Sequence, residues 1–452
     1  MLRLSIKASA EAVCPPFLRP YWDRLITSPI GSRLARGVFW SMVGTVISSG
    51  LMLVASVVVA RLLGKTGYGE LEMIKSTVGM LGVFAGLALG LTATKHVAEC
   101  RQNDRERAGR ILGLSSLMAF FSGGLMSLGL LFFAPWLAEH TINAPHLVVP
   151  LRIGAIILFI SALNGAQTGA LAGFEAFKTI AKVNLLVGLI SFPIMLAGAY
   201  WGRLQGVVCS IAICLCFNWY FNHVALCQEA ARSGIQPTLK ECGAEWSILW
   251  RFSLPAVLSG ALIGPVNWVC GALLVNQPGG YSEMGVFSVA NQWYHILLFL
   301  PNVLGSVVLP VLSEQLGQRK TGQSNKTLVV AIKVNLVVIA PIAIIASFAS
   351  PFIMNLYGRS FSDGWPTLIV VLMTAALLAI QTPVGQIIAA SGRMWTGLIM
   401  NAGWASVFII STLLLIDKGS FGLASARGIA YILHATLTFG FAFWLLHKKS
   451  IK

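Results

Sequence analysis

The sequence predicts an all-α integral membrane protein: about twelve transmembrane helices in two six-helix lobes, with both termini cytoplasmic. Three observations carry this expectation. Twelve long apolar segments fill the 452 residues, which are 56% hydrophobic and 11% charged with a mean hydropathy of +0.78. Lys and Arg gather on one side of those segments. The longest polar break, residues 228–246, divides them six and six.

A spanning helix takes about 20 mostly apolar residues. The expected spans are 37–60, 73–94, 111–133, 147–172, 179–200, 204–227, 252–276, 284–312, 327–350, 366–390, 395–416 and 420–446. Helices are expected because lipid offers no partner for a backbone polar group, so each segment must satisfy its own. The alternating ten-residue segments of a membrane barrel are not visible. Residues 1–36 read as a cytoplasmic tail. It has six basic residues, prolines at 15, 16, 20 and 29, and no continuous apolar core before Gly37, unlike a cleavable signal. Phe17, Tyr21, Trp22, Leu25 and Ile26 offer an interfacial segment that the prolines interrupt. The first lobe is then 37–227, the inter-lobe loop 228–246, the second lobe 247–447, and a short cytoplasmic tail 448–452.

The net charge of +16 would suit nucleic acid, but its distribution does not. Twenty-four of the 32 Lys and Arg fall on the N-terminal side of the spans and seven on the other; Arg427 lies inside the last span. That asymmetry is the positive-inside rule. The eight cysteines form no CxxC pair and no His stands at metal-ligand spacing, so neither disulfides nor a metal are expected. No Gly-rich phosphate motif is present, and no cofactor is expected. The outer loops are short, the longest about 353–365, leaving little room for a catalytic domain.

An internal repeat is visible across the central break. At a shift of 217, Thr179 falls on Thr396, Asn184 on Asn401 and Asn164 on Gln381; at 216, Gly69 falls on Gly285. An even number of spans per half makes this a parallel repeat, related by an axis along the membrane normal.

Polar groups inside the spans are the candidate functional residues. In span 8, Ser288, Asn291, His295 and Asn302 share one helical face, as a cavity lining or as hydrogen-bonding glue between helices. Span 1 carries Ser41, Thr45, Ser48 and Ser56, whose hydroxyls can also bond back to their own helix. Span 2 presents Lys75, Gly79, Gly82, Gly86 and Gly90 on one side, for close helix approach or as a smooth wall beside a bulky ligand. Charge within a span marks a site by default. Arg427 is the clearest case; Lys75, Arg152, Arg251 and Lys333 lie nearer span ends, where they can snorkel. Glu70, Glu72 and Glu314 fall at helix ends, so no carboxylate is expected deep in a span. The interior balance is cationic and suits an anionic substrate. Pro255, Pro265 and Pro301 invite bends in spans 7 and 8.

RGVFWSMVGTVISSG entering span 1, ARLLGKTGYGELEMIKS between spans 1 and 2, TATKHVAECRQNDRERAGRIL after span 2, LAGFEAFKTIAKVN between spans 4 and 5, EMGVFSVANQWYHILLFLPNVLGSVVLPVLSEQ in span 8 and PFIMNLYGRSFSDGWPTLIVVL before span 10 give the chain a family likeness. It resembles the bacterial polysaccharide-unit flippases (O-antigen, capsule and exopolysaccharide) of the multidrug/oligosaccharidyl-lipid/polysaccharide exporter superfamily over nearly all of residues 33–447. The resemblance implies two six-helix lobes around a central cavity lined by spans 1, 2, 7 and 8. It implies a multi-pass inner-membrane transporter, not an enzyme, that turns a polyprenyl-diphosphate-linked oligosaccharide from the inner to the outer leaflet by alternating access. The expected partners are that lipid-linked oligosaccharide, membrane lipid, and a glycan polymerase and glycosyltransferases of the same pathway; the protein is expected to work as a monomer, without nucleic acid. Lys75, Arg251 and Arg427 are the residues expected to attract diphosphate, and Asn267, Asn291 and His295 those expected to meet sugar hydroxyls. Trp268 is expected to pack, or to stack on a sugar ring. The alternatives are a cation-coupled drug exporter or a lipid II flippase of the same superfamily and, in another class, a polytopic glycan polymerase or ligase.

Overall fold

The structure is a computed structural model that describes residues 29–450 except 241, 319, 320 and 392. It describes the side chains from Ser48 to Leu445 apart from scattered positions, of which Arg251 is one. The expected interfacial segment at 17–26 lies outside the described residues.

Helices are the regular elements of the described chain. Its helices are α1 (Pro29–Gly86), α2 (Leu89–Cys100), α3 (Arg105–Trp136), α4 (Val148–Gly173), α5 (Phe177–Arg232), α6 (Leu254–Gly260), α7 (Ile263–Val275), α8 (Gly280–Gly317), α9 (Thr321–Phe348), α10 (Ser350–Leu356), α11 (Trp365–Ala390), α12 (Met394–Leu415) and α13 (Gly419–Ser450). Eight helical stretches among the described residues are long and apolar enough to cross a membrane. Three of them run to 53, 56 and 51 residues, more than twice what one crossing needs.

Breaks inside these stretches are shorter than the sequence suggested. Residues 61–72 were expected to be a loop; the only non-helical residue in α1 is Gly64, at φ 71°, where glycine avoids the Cβ clash of the left-handed region. α5 breaks at Arg203, with φ 45°. The segment predicted as span 2 reaches from Lys65 to Cys100 and is itself interrupted at Leu87 and Ala88, both left-handed. The predicted bends in span 7 take the form of a two-residue gap between α6 and α7. Pro255 and Pro265 lie in the first turns of those helices, and a π-turn over Leu249–Ser253 leads directly into α6. α1 begins at Pro29, eight residues before the predicted first span, and α13 continues to Ser450.

Within the first half, α1 packs on α4 and α5, and α4 also on α2 and α3. Within the second, α11 packs on α8, α9 and α13, and α12 on α13. The halves meet where α1 lies against α7 and α8. One apolar core runs through this junction, from Met73 and Ile74 through Cys270 and Val289 to Tyr357 and Phe408.

The segment between the halves is docked. Thr238 N–H donates to the Gly109 carbonyl, and side chains on Gly109 or Gly113 would collide with the carbonyls of Gln236 and Thr238. The buried Glu245 carboxylate accepts both from Arg107 Nε (3.2 Å) and from Arg110 Nη2 (3.5 Å). That hydrogen bond and charge raise the Arg107 pKa above its already high ordinary value.

Two repeat positions carry equivalent contacts. Asn164 donates to the Leu215 carbonyl and accepts from Asn222, whereas Gln381 meets His434 and Thr438. Each is a buried amide joining the fourth expected span of its half to the sixth.

A candidate cleft between the two halves

The two halves are closed against each other at the end that carries Gly64. There α1, past its break, crosses the start of α8 with backbone touching backbone. A Cβ on Gly69 would collide with the Tyr281 carbonyl, and one on Gly285 with the Lys65 carbonyl. Gly69 and Gly285 are 216 residues apart, and so are Lys65 and Tyr281, so the clash is reciprocal. Thr66 and Ser282, at the same offset, bring their hydroxyl oxygens to 2.8 Å. Around the crossing, Lys65 Nζ pairs with Asp363 at 2.6 Å, Arg61 Nε donates to the Leu356 carbonyl at 2.6 Å, and Tyr68 meets Phe361 edge to face. Tyr281 Oη and Asn276 Nδ2 donate to the carbonyls of Ile142 and Thr141, each at 2.8 Å. Small residues allow this close approach, and the hydrogen bonds fix its register.

Beyond the crossing, both helices carry polar side chains away from it. At 1.5 Å per residue, Lys75 and Asn291 each stand about 9 Å from the paired glycines. They occupy equivalent positions, again 216 apart. Lys75 Nζ donates to Glu72 Oε2 at 2.8 Å, yet its side chain remains 51% exposed. His295, one turn past Asn291, is exposed and within electrostatic reach of Glu72 and Lys75 on one half and Arg427 on the other. Gly79 and Gly86 face open space. These exposed polar groups between facing helices define the cleft.

Arg427 lies behind that surface. It is 3% exposed, and its guanidinium stands 4.4 Å from the Tyr294 ring centre and 5.0 Å from that of Phe287. Cation–π contacts of this kind contribute about 2 kcal/mol when desolvated. No carboxylate pairs with it among the described residues. Its Nη1 donates to Asn291 Oδ1 at 2.7 Å, and its Nε and Nη2 have no partner. Because Arg can only donate, this bond fixes the Asn291 amide. Nδ2 of Asn291 then points toward His295 Nε2, at 3.5 Å.

The sequence-predicted residues divide as follows. Lys75, Asn291 and His295 converge on the cleft. Arg427, expected to attract diphosphate, lies in the layer behind and donates to Asn291. Asn267 donates to the Ile263 carbonyl of its own helix at 2.8 Å, so that donor is occupied. The Arg251 side chain lies outside the described residues, as do those of Ser41 and Thr45. Trp268 is packed, donating to Thr77 Oγ1 at 2.9 Å. Ser288 is buried and Asn302 exposed, so the span 8 stripe is part packing and part surface. Ser56 lies 2.9 Å from Gln292 Oε1, which Tyr357 also reaches. The span 2 glycines serve both readings: Gly90 makes a close approach to Gly165 and Gly169, whereas Gly79 and Gly86 form a smooth wall. Arg152 and Lys333 are exposed, as snorkelling requires.

Glu72 was placed at a helix end and is a correction. The limb begins at Lys65, so Glu72 lies two turns inside it with a 21% exposed side chain. The single-residue break at Gly64 was the signal, masked by the loop-like composition of GKTGYGE. No group of three or more His, Cys, Asp or Glu that could hold a metal occurs among the described residues.

Comparison with known proteins agrees with this architecture. The family of polysaccharide biosynthesis proteins matches residues 34–316. An EPS I polysaccharide export inner membrane protein, EpsE, of Ralstonia nicotianae is 23% identical over 403 residues, covering 87% of this chain and 90% of its own. The succinoglycan biosynthesis transport protein ExoT of Rhizobium meliloti is 22% identical, covering 84% and 73%. Among solved structures, an inward-facing multidrug resistance MATE family transporter of the MOP superfamily superposes with a TM-score of 0.76 at 14% identity, over 91% of this chain and 99% of that one. With the family matched over more than half its length, the chain belongs to the polysaccharide biosynthesis proteins and has the fold of the MOP transporters.

Proposed function

We propose that the protein is a flippase of the inner membrane that carries a polyprenyl-diphosphate-linked oligosaccharide repeat unit from the inner to the outer leaflet. Of the eight apolar stretches, those broken at Gly64, Arg203 and Gly419 each supply two passes, and α8 adds one more, giving twelve spans in two six-helix lobes with both termini in the cytoplasm. In that topology the Gly69–Gly285 crossing is the outer seal, and the cleft opens inward. The cargo enters there, and alternating access releases it outside. The observation that carries this reading is the cleft itself: exposed polar side chains between facing membrane helices, backed by a buried Arg427 that no carboxylate neutralises among the described residues.

The electrostatics favour an anion. Glu72 offsets Lys75, but Arg427 is held by aromatic faces with no carboxylate beside it among the described residues. Its field reaches the cleft through Asn291 and His295. Moving phosphate or hydroxyls into an apolar medium costs several kcal/mol for each unpaired group; a hydrated cationic cleft offsets that cost while the polyprenyl tail stays in lipid. Asn291 and the His295 imidazole are the groups that would meet sugar hydroxyls, and Lys75 the cation for diphosphate.

Glu72 gives a second reading, a cation-coupled drug exporter, its first observed support, since such a transporter needs a carboxylate in the cleft. The Lys75 ammonium already bound to it counts against that role.

The test is deletion of the gene in its native host, with extraction of the polyprenyl-linked glycans. Complete single units held on the cytoplasmic face, with surface polymer lost, are the expected result. Single units reaching the outer face unpolymerised would overturn the reading and favour a polymerase or ligase.

A further inference from the structure

Transport leaves unused a basic pocket at the end of the first half opposite the glycine crossing. A cavity of about 530 Å³ is formed there by three segments. The turn between α2 and α3 gives Arg101 and Arg105, the turn between α4 and α5 gives Phe174 and Glu175, and the end of α5 gives Arg232. Glu175 takes up a left-handed conformation, φ 57°, that costs a non-glycine residue energy. In it the carboxylate accepts from Arg101 Nη2, which pins the two turns together. Among the described residues Arg232 is bonded along its own helix, to Glu229 at 2.9 Å, and its side chain is mostly exposed. Arg105 has no carboxylate partner among the described residues; its guanidinium lies against the Gly234 turn. Three guanidinium groups thus line one pocket: Arg101 is paired with Glu175, Arg232 with Glu229, and Arg105 with no carboxylate among the described residues.

We propose that this pocket binds the phosphate of an anionic phospholipid headgroup from the inner leaflet. The inference rests on the topology read above, with this end in the cytoplasm. Guanidinium forks match phosphate oxygens in pairs, and basic pockets between membrane helices on the cytoplasmic side recognise such headgroups. Phe174 supplies an apolar wall beside them. Charge placed for topology alone needs no convergence of three separate segments. The lining residues lie on α2 to α5 and the turn that follows α5, none of them in the second half, so the pocket is separate from the cleft between halves, and a cargo held in the cleft does not fill it.

The test uses the purified full chain in nanodiscs of phosphatidylcholine, with and without phosphatidylglycerol, and measures phosphatidylglycerol retained on the protein by native mass spectrometry. Each basic residue near an anionic lipid contributes about fivefold in affinity, so R105Q/R232Q is expected to retain it about 30-fold more weakly. R105K/R232K, which keeps the charge, is expected to retain most of it. Equal retention by wild type and R105Q/R232Q would overturn the site. If sodium diphosphate binds wild type in neutral discs and phosphatidylglycerol adds nothing, the occupant is a soluble phosphate and the lipid assignment falls. Retention is read without transport, so its failure leaves the flippase reading standing, and failure of the deletion test leaves the pocket standing.

Discussion

Arg427 shows how a buried charge is held without an opposite one. Two aromatic faces and one amide oxygen replace the usual carboxylate, so the charge is retained rather than cancelled. Replacing a buried ion by a well-packed apolar residue is often neutral or stabilising by about 1–4 kcal/mol. Arg427→Met is therefore expected to reach the membrane at wild-type level with an unchanged or higher Tm, while glycan export falls at least tenfold. Unchanged export in that variant would reduce Arg427 to a packing residue. Arg251→Ala is expected to slow export without changing protein level; normal export by both single variants and by the double variant would remove both assignments. At this scale the sequence was informative about chemistry and silent about direction. Asn291 and His295 were legible because i and i+4 share a helical face. The place of Arg427 behind them was not, since depth within a span does not say which neighbour a side chain meets. Glu72 was missed for another reason: its helix starts earlier than the polar composition around it suggests.

Helices decide how the halves move. The α1–α8 crossing has no side chain to yield, because both contact points are glycine. Overpacking costs about 1–3 kcal/mol, so Gly69→Val is expected to shift the equilibrium roughly five- to hundredfold from sealed toward outer-open. A Ser288→Cys reporter should then react with an impermeant maleimide from outside in the Gly69→Val background and stay protected in its absence; equal protection in both would show that the crossing does not gate access. The docked segment behaves differently. Glu245 is buried, but Arg107 is well exposed, so Glu245→Gln is expected to cost only about 1–2 kcal/mol. A thermal scan would register that as a modest drop in Tm. Helix existence was well read from hydropathy. Helix ends were not, because a one-residue break such as Gly64 leaves almost no compositional trace, whereas the inter-half segment announced itself as a break of nineteen residues.

Over the whole molecule, the repeat seen faintly in the sequence becomes a contact rather than a likeness. Gly69 with Gly285 and Thr66 with Ser282 touch their own counterparts, as residues on a two-fold axis must. Their hydroxyls are close enough for a disulfide in T66C/S282C. Mild oxidant is expected to arrest export in that variant, and reductant to restore it. Export that continues through full cross-linking would show that the two halves need not part there. The order of segments and the central break were sufficient to suggest two related halves, but not how tightly they meet at one end.

The crossing has one more consequence. A seal made of main chain is indifferent to what hangs from the residues farther along the same helices. Substitutions at Lys75, Asn291 or His295 can therefore change which cargo fits while the door continues to shut. Selectivity and closure become separately heritable traits, and a lineage can acquire a new surface glycan without reinventing the gate.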